Sequence, residues 1–555
     1  MTKNIRFSNL DRKKTIAKLR EETFDLVVIG GGITGGGIAL DAASRGLKVA
    51  LVEKNDFASG TSSKSTKLIH GGLRYLKQFD FWLVKEVGSE RAIVHNLAPH
   101  LVLPEKMLLP LIENGSYGKW LTSIGLKVYD ILAQVAGDDK RKMLEKKEAL
   151  KLEPLLPKKI LKGAGYYAEY RTDDARLTME TIKTSLQYGA MPINYTMVTD
   201  FIYEEDMVAG VKVKDMVLDT NFHIKSKYVI SAAGPWVDEL RGINNSKKGK
   251  RLHLTKGVHL VFPFEKLPIK QSVYFDIPDG RMMFAIPRGK ITYVGTTDTN
   301  FNENKDSVKT DVADAIYLIS AVNNMFPKIN LEMEDIISSW AGLRPLIHEE
   351  GKSASELSRK DEIFTSDTGL ISIAGGKLTG YRKMAERVVN RVAKKMEEDY
   401  GISVKNSDTE HIPLCGNDFK KYKYVKKYIT EIHERLTPEG FSKYEAWYLV
   451  TNYGKQTETI LQYYAKQKED DHVLGMAKAE LKFTIENEMV QTPMDFFIRR
   501  TGRLYFDIDS VRKLMEPILA EFKTIYKLDD GIIDSYRKTL KEEIEEHSNF
   551  SLDRI

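Results

Sequence analysis

The chain has 555 residues, of which 42% are hydrophobic and 29% charged, and this balance excludes a disordered or collagen-like protein. The positive excess, 84 − 78 = +6, is too small and too dispersed for a nucleic-acid-binding surface, so we expect no nucleic-acid partner. The single cysteine, Cys415, excludes an intramolecular disulfide or a multi-cysteine metal site. Neither a signal peptide nor an apolar run of about 18 residues is present, so we expect an intracellular protein without a membrane span.

The first 22 residues are rich in basic side chains, with seven lysines and arginines against three acidic residues. Asn9 or Asp11 is a candidate cap for a short helix in this segment. We interpret the segment as a solvent-exposed helix that precedes the first domain. The alternative interpretation is a segment that contacts a membrane electrostatically.

Residues 24–53 show the pattern of a dinucleotide-binding unit. An apolar run at 24–29 predicts a strand, glycines cluster at 30–37, a helix is predicted at 39–45, and a second apolar strand is predicted at 47–52. In such a unit Gly30 permits the tight turn, Gly32 lets a pyrophosphate approach the backbone, and Gly35 allows the helix to pack on the strand. Glu53, at the end of the second strand, is the candidate partner of the adenosine ribose.

The segment 59–75 decides between the two common dinucleotides. It is rich in serine, threonine and glycine, with Ile69, His70 and Arg74 between them. Such a stretch can run along a large flat ligand and donate hydrogen bonds to phosphate and ring heteroatoms. The segment therefore favours FAD over NAD.

Later strand-like runs at 228–232, 259–262, 291–295 and 370–374 predict a mixed sheet with interspersed helices. From Val404 onward the chain becomes amphipathic, and helices are predicted at 422–435, 444–467, 473–487 and 508–526. We therefore predict a basic extension at 1–22, an FAD-binding domain intertwined with a substrate domain at 23–403, and a helical domain at 404–555.

Eight motifs carry a resemblance that covers nearly the whole chain: VIGGGITGGGIALDAASRGLKVALVE at 28–53, TSSKSTKLIHGGLRYL at 61–76, YVISAAGPWVD at 228–238, TKGVHLVFP at 255–263, VGTTDT at 294–299, AGLRPL at 341–346, AGGKLTGYRK at 374–383 and TPMDFFIRRTGRL at 492–504. With them the sequence closely resembles the FAD-dependent glycerol-3-phosphate dehydrogenases of the aerobic, respiratory-chain type. The resemblance implies an α/β FAD-binding Rossmann-like fold of the glutathione-reductase/amino-acid-oxidase type, an intertwined α+β substrate domain with an antiparallel sheet, and a C-terminal all-helical domain. One departure is the basic segment of about 22 residues before the first strand. Oxidases of this substrate usually carry an extra internal insertion, and no obvious insertion is seen here, which favours the dehydrogenase branch.

The resemblance implies oxidation of sn-glycerol 3-phosphate to dihydroxyacetone phosphate by hydride transfer to FAD, with electrons passed to a membrane quinone. It places the protein in glycerol catabolism, in the cytoplasm and peripherally at the inner face of the cell membrane. Two segments are candidate membrane contacts, the basic N-terminal segment and the amphipathic stretch 120–135. The pattern of 120–135 is also typical of an ordinary core helix. The sequence leaves open a homodimer, the quinone type and the quinone site.

A phosphate substrate requires cations, and removal of a hydroxyl proton requires a base. Arg74 and Arg344 are the candidates for forked contacts with phosphate oxygens, and Arg344 also for polarising the substrate oxygen. Tyr75 and Lys377 complete the candidate substrate contacts. His70 and His259 are the two candidates for the catalytic base. We prefer His70, because a lone histidine before a strand, such as His259, more often has a structural role.

The glycines of the AGGKLTGYRK motif predict backbone N–H groups near the flavin ring, followed by a helix whose positive end faces the ring. The predicted cofactor-binding residues are Gly30, Gly32, Gly35, Glu53, Thr61, Ser62, Ser63, Lys67, Leu68, Ile69, His70, Gly71, Gly72, Gly234, Gly375, Gly376, Lys377, Leu378 and Thr379. The remaining histidines show no ligand spacing, so no metal site is predicted.

Three alternatives remain at this point. An oxidase of the same substrate would give hydrogen peroxide. An FAD amine or amino-acid oxidase would share the cofactor fold but need a carboxylate clamp rather than a phosphate site. A flavin-bearing scaffold would use its helical domain, with Arg499, Arg500 and Arg503, to bind a protein or nucleic acid.

Overall fold

The computed structural model describes residues 6–70, 81–113, 115, 141–348, 360–467 and 469–550. The strands of these residues are β1 Thr23–Ile29, β2 Val49–Val52, β3 Leu68–Ile69, β4 Leu103–Ile112, β5 Lys142–Glu145, β6 Leu161–Arg171, β7 Met191–Ile193, β8 Thr196–Glu204, β9 Met207–Asp215, β10 Thr220–Ser231, β11 Arg251–Pro263, β12 Ser272–Asp276, β13 Met282–Arg288, β14 Ile291–Gly295, β15 Thr299–Asn300, β16 Ser338–His348, β17 Glu362–Thr365 and β18 Ile371–Ala374.

The α-helices of the same residues are α1 Arg12–Glu21, α2 Ile33–Ser44, α3 Phe81–Leu97, α4 Lys146–Leu152, α5 Asp174–Gln187, α6 Val237–Ile243, α7 Val312–Met325, α8 Tyr381–Tyr400, α9 Tyr422–Leu436, α10 Lys443–Tyr453, α11 Thr457–Tyr464, α12 His472–Asn487, α13 Arg503–Phe506, α14 Ile508–Tyr526 and α15 Asp530–Ser548. A π-helix at Asp495–Arg500 precedes α13. Among the helices of the described ranges, none is long and apolar enough to cross a membrane.

The first sheet is parallel at its centre. Its order is β17–β18–β10–β1–β2–β7, with β1 parallel to both β2 and β10, and β8–β9 extends it as a hairpin beside β10. Helices α2 and α8 pack on it, and its strands supply a core of valine, leucine and isoleucine side chains. The carboxyl ends of β1, β2 and β10 therefore lie at one edge, where open α/β sheets bind ligands.

The second sheet is mostly antiparallel, in the order β15–β11–β14–β13–β12–β4–β6–β3, with β16 paired to β11 and β5 to β6. One apolar cluster on this sheet includes Trp340 and Tyr293, and it continues into the C-terminal helices through Leu504, Tyr505 and Phe506. The helical region thus packs directly against the second sheet. Helices α9 to α12 build a further core of their own.

The predicted solvent-exposed helix before the first domain needs correction, because this segment packs into the fold. Arg12 is 2% exposed and forms an ion pair with the buried Asp215, with 2.6 Å between guanidinium and carboxylate. Asn9 donates to the carbonyl of Met489 at 2.6 Å, so the segment also contacts the C-terminal region. Lys13 and Lys14 remain exposed.

Several predicted boundaries differ from the structure, and two of these differences have a clear physical cause. Helix α2 begins at Ile33 rather than 39, because the glycines at 35–37 are helical and allow close packing. The run predicted as one helix at 444–467 divides into α10 and α11 at Gly454, whose φ of +56° does not fit a helix. The amphipathic stretch 120–135 lies outside the described residues, and the division at 403/404 stays a prediction.

Candidate active site

One cavity of about 860 Å³ lies at the carboxyl ends of β1, β2 and β10. Its wall begins at Gly30 and Gly32 of the glycine turn and includes residues of both sheets. The wall also includes His259, Arg344 and Lys377. A cavity of this size lies in the range of ligand and cofactor sites.

The glycine turn leaves no room for side chains. Gly30 has a φ of +115°, and a Cβ there would lie 2.5 Å from the carbonyl oxygen of Ala232. A Cβ on Gly35 would lie 1.8 Å from the carbonyl oxygen of Gly30. Both positions therefore require glycine, one for its backbone angle and one for the close approach of helix and turn.

Helix α2 directs its N-terminus at the cavity. Gly32, Ile33 and Thr34 line the wall, and the first turn of the helix has no acidic side chain. The Ile33 N–H donates to Ser62 Oγ at 3.0 Å. Backbone N–H groups and the helix dipole make this end of the cavity an anion site.

Glu53 lies on the cavity wall at the end of β2. Its carboxylate accepts the Gly31 N–H at 2.7 Å and the Asn55 N–H at 2.9 Å. Burial raises the pKa of Glu53, and these two backbone donors act in the opposite direction. The carboxylate is fixed beside the turn, as ribose recognition requires.

Some side chains of the segment 61–70 line the cavity, and others are buried in the core. Thr61, Ser62, Leu68 and His70 line the cavity, and the Thr61 hydroxyl donates to the Leu343 carbonyl at 2.8 Å. Three further predicted cofactor residues, Ser63, Lys67 and Ile69, are buried and absent from the cavity wall, so their contact with the cofactor stays a prediction.

The physical reason is clearest at Lys67. Its ammonium lies 2.5 Å from the Asp174 carboxylate and donates to the Ser63 carbonyl at 2.9 Å. Ile69 belongs instead to an apolar cluster. Gly71, Gly72, Arg74 and Tyr75 lie outside the described residues.

Arg344 lines the cavity, and the residues that follow β14 hold its side chain. Its guanidinium donates to Thr296 Oγ1 at 2.7 Å, to the Thr297 carbonyl at 2.8 Å and to the Asp298 carboxylate at 3.1 Å. A Cβ on Gly257 would lie 2.5 Å from Arg344 Nη2, so glycine makes room for this side chain. These threonine and aspartate contacts were missed from the sequence, although the motif that contains them is visible there.

His259 also lines the cavity and is buried near Arg344. Its ring stacks on Trp340 with 4.7 Å between centroids, and its Nε2 lies 3.0 Å from Thr66 Oγ1. Burial, and then the charges of Arg344 and Lys67, hold the pKa of His259 well below its usual range. His259 is therefore neutral at pH 7. His70 also lines the cavity, near Phe284.

The AGGKLTGYRK motif forms the remaining wall. Gly375 and Gly376 have φ angles of +77° and +83°, and a Cβ on either would lie within 2.6 Å of a neighbouring atom. They, Lys377, Leu378 and Thr379 line the cavity, and α8 follows at Tyr381. Gly234 lies on the same wall. The predicted Gly35 packs against the turn and does not line the cavity. The structure thus brings 13 predicted cofactor residues to one cavity: Gly30, Gly32, Glu53, Thr61, Ser62, Leu68, His70, Gly234, Gly375, Gly376, Lys377, Leu378 and Thr379.

Comparison with known proteins identifies the family. Residues 25–382 match the model of the FAD dependent oxidoreductases, and residues 407–531 match that of the C-terminal domain of alpha-glycerophosphate oxidase. An aerobic glycerol-3-phosphate dehydrogenase of Bacillus subtilis is 48% identical, over 97% of each chain. One from Staphylococcus aureus is 47% identical, over 98% of each chain.

A solved structure extends this likeness to three dimensions. The glycerol-3-phosphate dehydrogenase of Bacillus halodurans, complexed with FAD, is 42% identical with a TM-score of 0.84, over 98% of this chain and 99% of that one. The glycine turn, the helix N-terminus without acidic residues and Glu53 fit the pyrophosphate and ribose of FAD. The predicted fold class and cofactor are thereby confirmed. The chain belongs to the FAD dependent oxidoreductases, in the family of the aerobic glycerol-3-phosphate dehydrogenases.

Proposed function

We propose that the chain oxidises sn-glycerol 3-phosphate to dihydroxyacetone phosphate with FAD and passes the electrons to a membrane quinone. The observation that carries the proposal is one cavity whose wall includes both the dinucleotide turn and the cations Arg344 and Lys377. Cations suit a phosphomonoester substrate, which carries a charge of about −1.5 to −2 near neutral pH. The names of the full-length relatives support the same substrate.

FAD supplies the hydride acceptor when it is bound. Arg344 polarises the C2 oxygen of the substrate, and its three contacts to residues 296–298 hold the guanidinium in place without reorganisation. Lys377, together with Arg74, binds the phosphate. Lys377 is supported by its place on the cavity wall, and Arg74 by its motif alone.

His70 is the proposed base that takes the C2 hydroxyl proton. His259 is the weaker candidate because its lowered pKa disfavours the protonated ring, and because its Nε2 is already engaged with Thr66. We assign His259 a positioning role at Thr66, in the segment that lines the cavity. His70 lies on the same wall.

We further propose a peripheral contact with an anionic membrane surface, where the electrons reach the quinone. The mild basic excess of the chain supports this contact. Molecular oxygen is the alternative acceptor, because the matching model of the C-terminal domain is named after an oxidase.

The test is a product assay with matched substrates. The purified holoenzyme receives either glycerol 3-phosphate or glycerol together with a soluble quinone analogue, and dihydroxyacetone phosphate and reduced quinone are measured. We expect the two products in equal amounts from glycerol 3-phosphate and very little turnover of glycerol, which lacks the phosphate. Equal turnover of both substrates would contradict the phosphate site, and hydrogen peroxide as the main reduced product would favour the oxidase.

A further inference from the structure

We infer that the C-terminal segment 488–500 belongs to the cofactor-binding apparatus, because Arg499 and Arg500 hold the loop that fixes the glycine turn. The three residues Asp56, Arg499 and Arg500 are called the Asp56 cluster below. The inference rests on the FAD site and is independent of the substrate proposed above.

The Asp56 cluster is buried and bonded at every carboxylate oxygen. Asp56 Oδ2 accepts from Arg499 Nε at 2.5 Å and from Arg500 Nη1 at 2.7 Å, and Oδ1 accepts from Arg500 Nη2 at 2.8 Å. The Asp56 side chain is 0% exposed, Arg500 0% and Arg499 12%. The two arginines hold the pKa of Asp56 at about 2, against the effect of burial. The cluster is therefore ionised and geometrically rigid.

Asp56 lies in the short loop 53–58, and this loop contacts Gly31 of the glycine turn from both ends. The Gly31 N–H donates to Glu53 at 2.7 Å, and the Ala58 N–H donates to the Gly31 carbonyl at 3.0 Å. Between them, Phe57 packs so close that a Cβ on Gly31 would lie 2.6 Å from its ring. A displacement of Asp56 would therefore move the turn that receives the pyrophosphate.

A second segment beside the cofactor cavity joins the same C-terminal residues. Asn194 donates to Asp56 Oδ1 at 3.0 Å and to the Met489 carbonyl at 3.0 Å. The Tyr195 hydroxyl donates to Asp495 at 2.6 Å. The next residues, Thr196, Met197 and Val198, line the cavity. Two neighbouring parts of the cavity wall thus depend on one C-terminal segment.

The π-helix at Asp495–Arg500 explains how two consecutive arginines reach one carboxylate. On a regular α-helix successive side chains point about 100° apart. The wider π turn, closed by the Thr501 N–H to the Phe496 carbonyl at 3.0 Å, changes this spacing and brings both guanidinium groups to Asp56. Such insertions are frequent at functional sites.

Arg503 provides a matched control in the same motif. It is 13% exposed, close to the 12% of Arg499, and its Nη2 lies 2.8 Å from Glu480, which is 0% exposed. Neither Arg503 nor Glu480 lines the cavity. Losses of packing are thus comparable, although Arg499 also pairs with Asp495 at 2.6 Å and so has one more carboxylate partner than Arg503. Of these two arginines, only Arg499 contacts loop 53–58.

The experiment compares FAD release from the holoenzymes of wild type, R499M and R503M. Release into dilute solution is followed by the rise in flavin fluorescence, at a temperature where circular dichroism shows every variant folded. We expect R499M to release FAD about tenfold faster than R503M, and R499K to lie between R499M and wild type. If R499M does not fold, R499K and D56N are compared with R503K in the same assay.

Equal release rates in the Arg499 and Arg503 variants would overturn the inference, since the cluster would then serve general stability only. Wild-type release from the D56N holoenzyme would overturn it as well. A failure of glycerol 3-phosphate to react leaves these rates unaffected, so the two proposals fail separately.

Discussion

Arg344 illustrates how the catalytic proposal depends on the geometry of a single side chain. Because its guanidinium is planar and makes three directed contacts, a lysine cannot reproduce its position. We expect R344K to lower kcat/KM for glycerol 3-phosphate by about 10²-fold, as loss of an oxyanion donor does. The flavin content of the purified variant should stay at the wild-type level.

Arg281 is the control for this substitution. It also lines the cavity, but it forms its ion pair with Asp279 and is about 39% exposed at the side chain. R281K should change kcat/KM by less than about threefold. An R344K enzyme with wild-type kcat/KM would contradict the role given to Arg344.

His100 gives a pH dependence that is independent of the active site. It is fully buried, and within the described part of the chain neither ring nitrogen has a hydrogen-bond partner. Burial, and then Arg176 and Lys183, lower the pKa of His100 to about 3 from its usual 6.5. As the pH falls, His100 therefore takes up its proton in the unfolded chain before it does so in the folded protein. The contribution of the neutral ring to the free energy of unfolding is fully present above pH 6.5 and declines as the pH falls toward 3.

At pH 5 this loss amounts to about 2 kcal/mol, since each pH unit below 6.5 removes about 1.36 kcal/mol. We expect the melting temperature of wild type to fall further between pH 7 and pH 5 than that of H100Q, whose side chain does not titrate. Identical pH dependence in the two proteins would show that His100 is not buried in its neutral form.

At the scale of the elements, the glycine turn with α2 is the unit that the cofactor needs. The G35A substitution places a methyl group 1.8 Å from the Gly30 carbonyl oxygen, so the helix must move away from the turn. We expect the purified G35A protein to contain almost no FAD, measured as flavin absorbance relative to protein. G242A, in α6 with no atom within 4 Å of the new methyl group, should retain the wild-type content. Normal FAD content in G35A would contradict the turn geometry.

The first residue of the N-terminal helix α1, Arg12, is buried in the fold. Removing the Arg12 side chain leaves the buried carboxylate of Asp215 without its ion-pair partner. We expect R12A to lower the free energy of unfolding by about 3–5 kcal/mol, measured by urea denaturation. The exposed neighbour Lys13 is the control, and K13A should change the free energy of unfolding by less than about 0.5 kcal/mol. If both variants unfold at the same urea concentration, the Arg12–Asp215 ion pair does not stabilise the fold.

At the scale of the whole molecule, local patterns predicted the dinucleotide unit well. The strands and glycines of residues 24–53 determine their own structure, because a parallel strand, a tight turn and a helix each have a characteristic residue pattern. The same holds for β14 and for α14, both of which have the predicted bounds. Residues in local motifs with a positive φ, such as Gly375 and Gly376, could also be assigned to the cavity.

The positions of side chains whose partners lie far away in the sequence could not be predicted. The direction of Lys67 is set by Asp174, more than 100 residues away in sequence, and the burial of Arg12 by Asp215. The positions of Arg499 and Arg500 in the sequence do not indicate Asp56 as their partner, because only the folded chain brings the three residues together. No sequence pattern reports these long-range ion pairs.

The most direct test of the central claim is anaerobic addition of glycerol 3-phosphate to the purified yellow holoenzyme, followed by flavin absorbance. We expect rapid bleaching, and much faster recovery of the absorbance with a quinone analogue than with air. Recovery fastest in air would assign the chain to the oxidases, and a flavin that glycerol 3-phosphate does not bleach would contradict the proposed substrate.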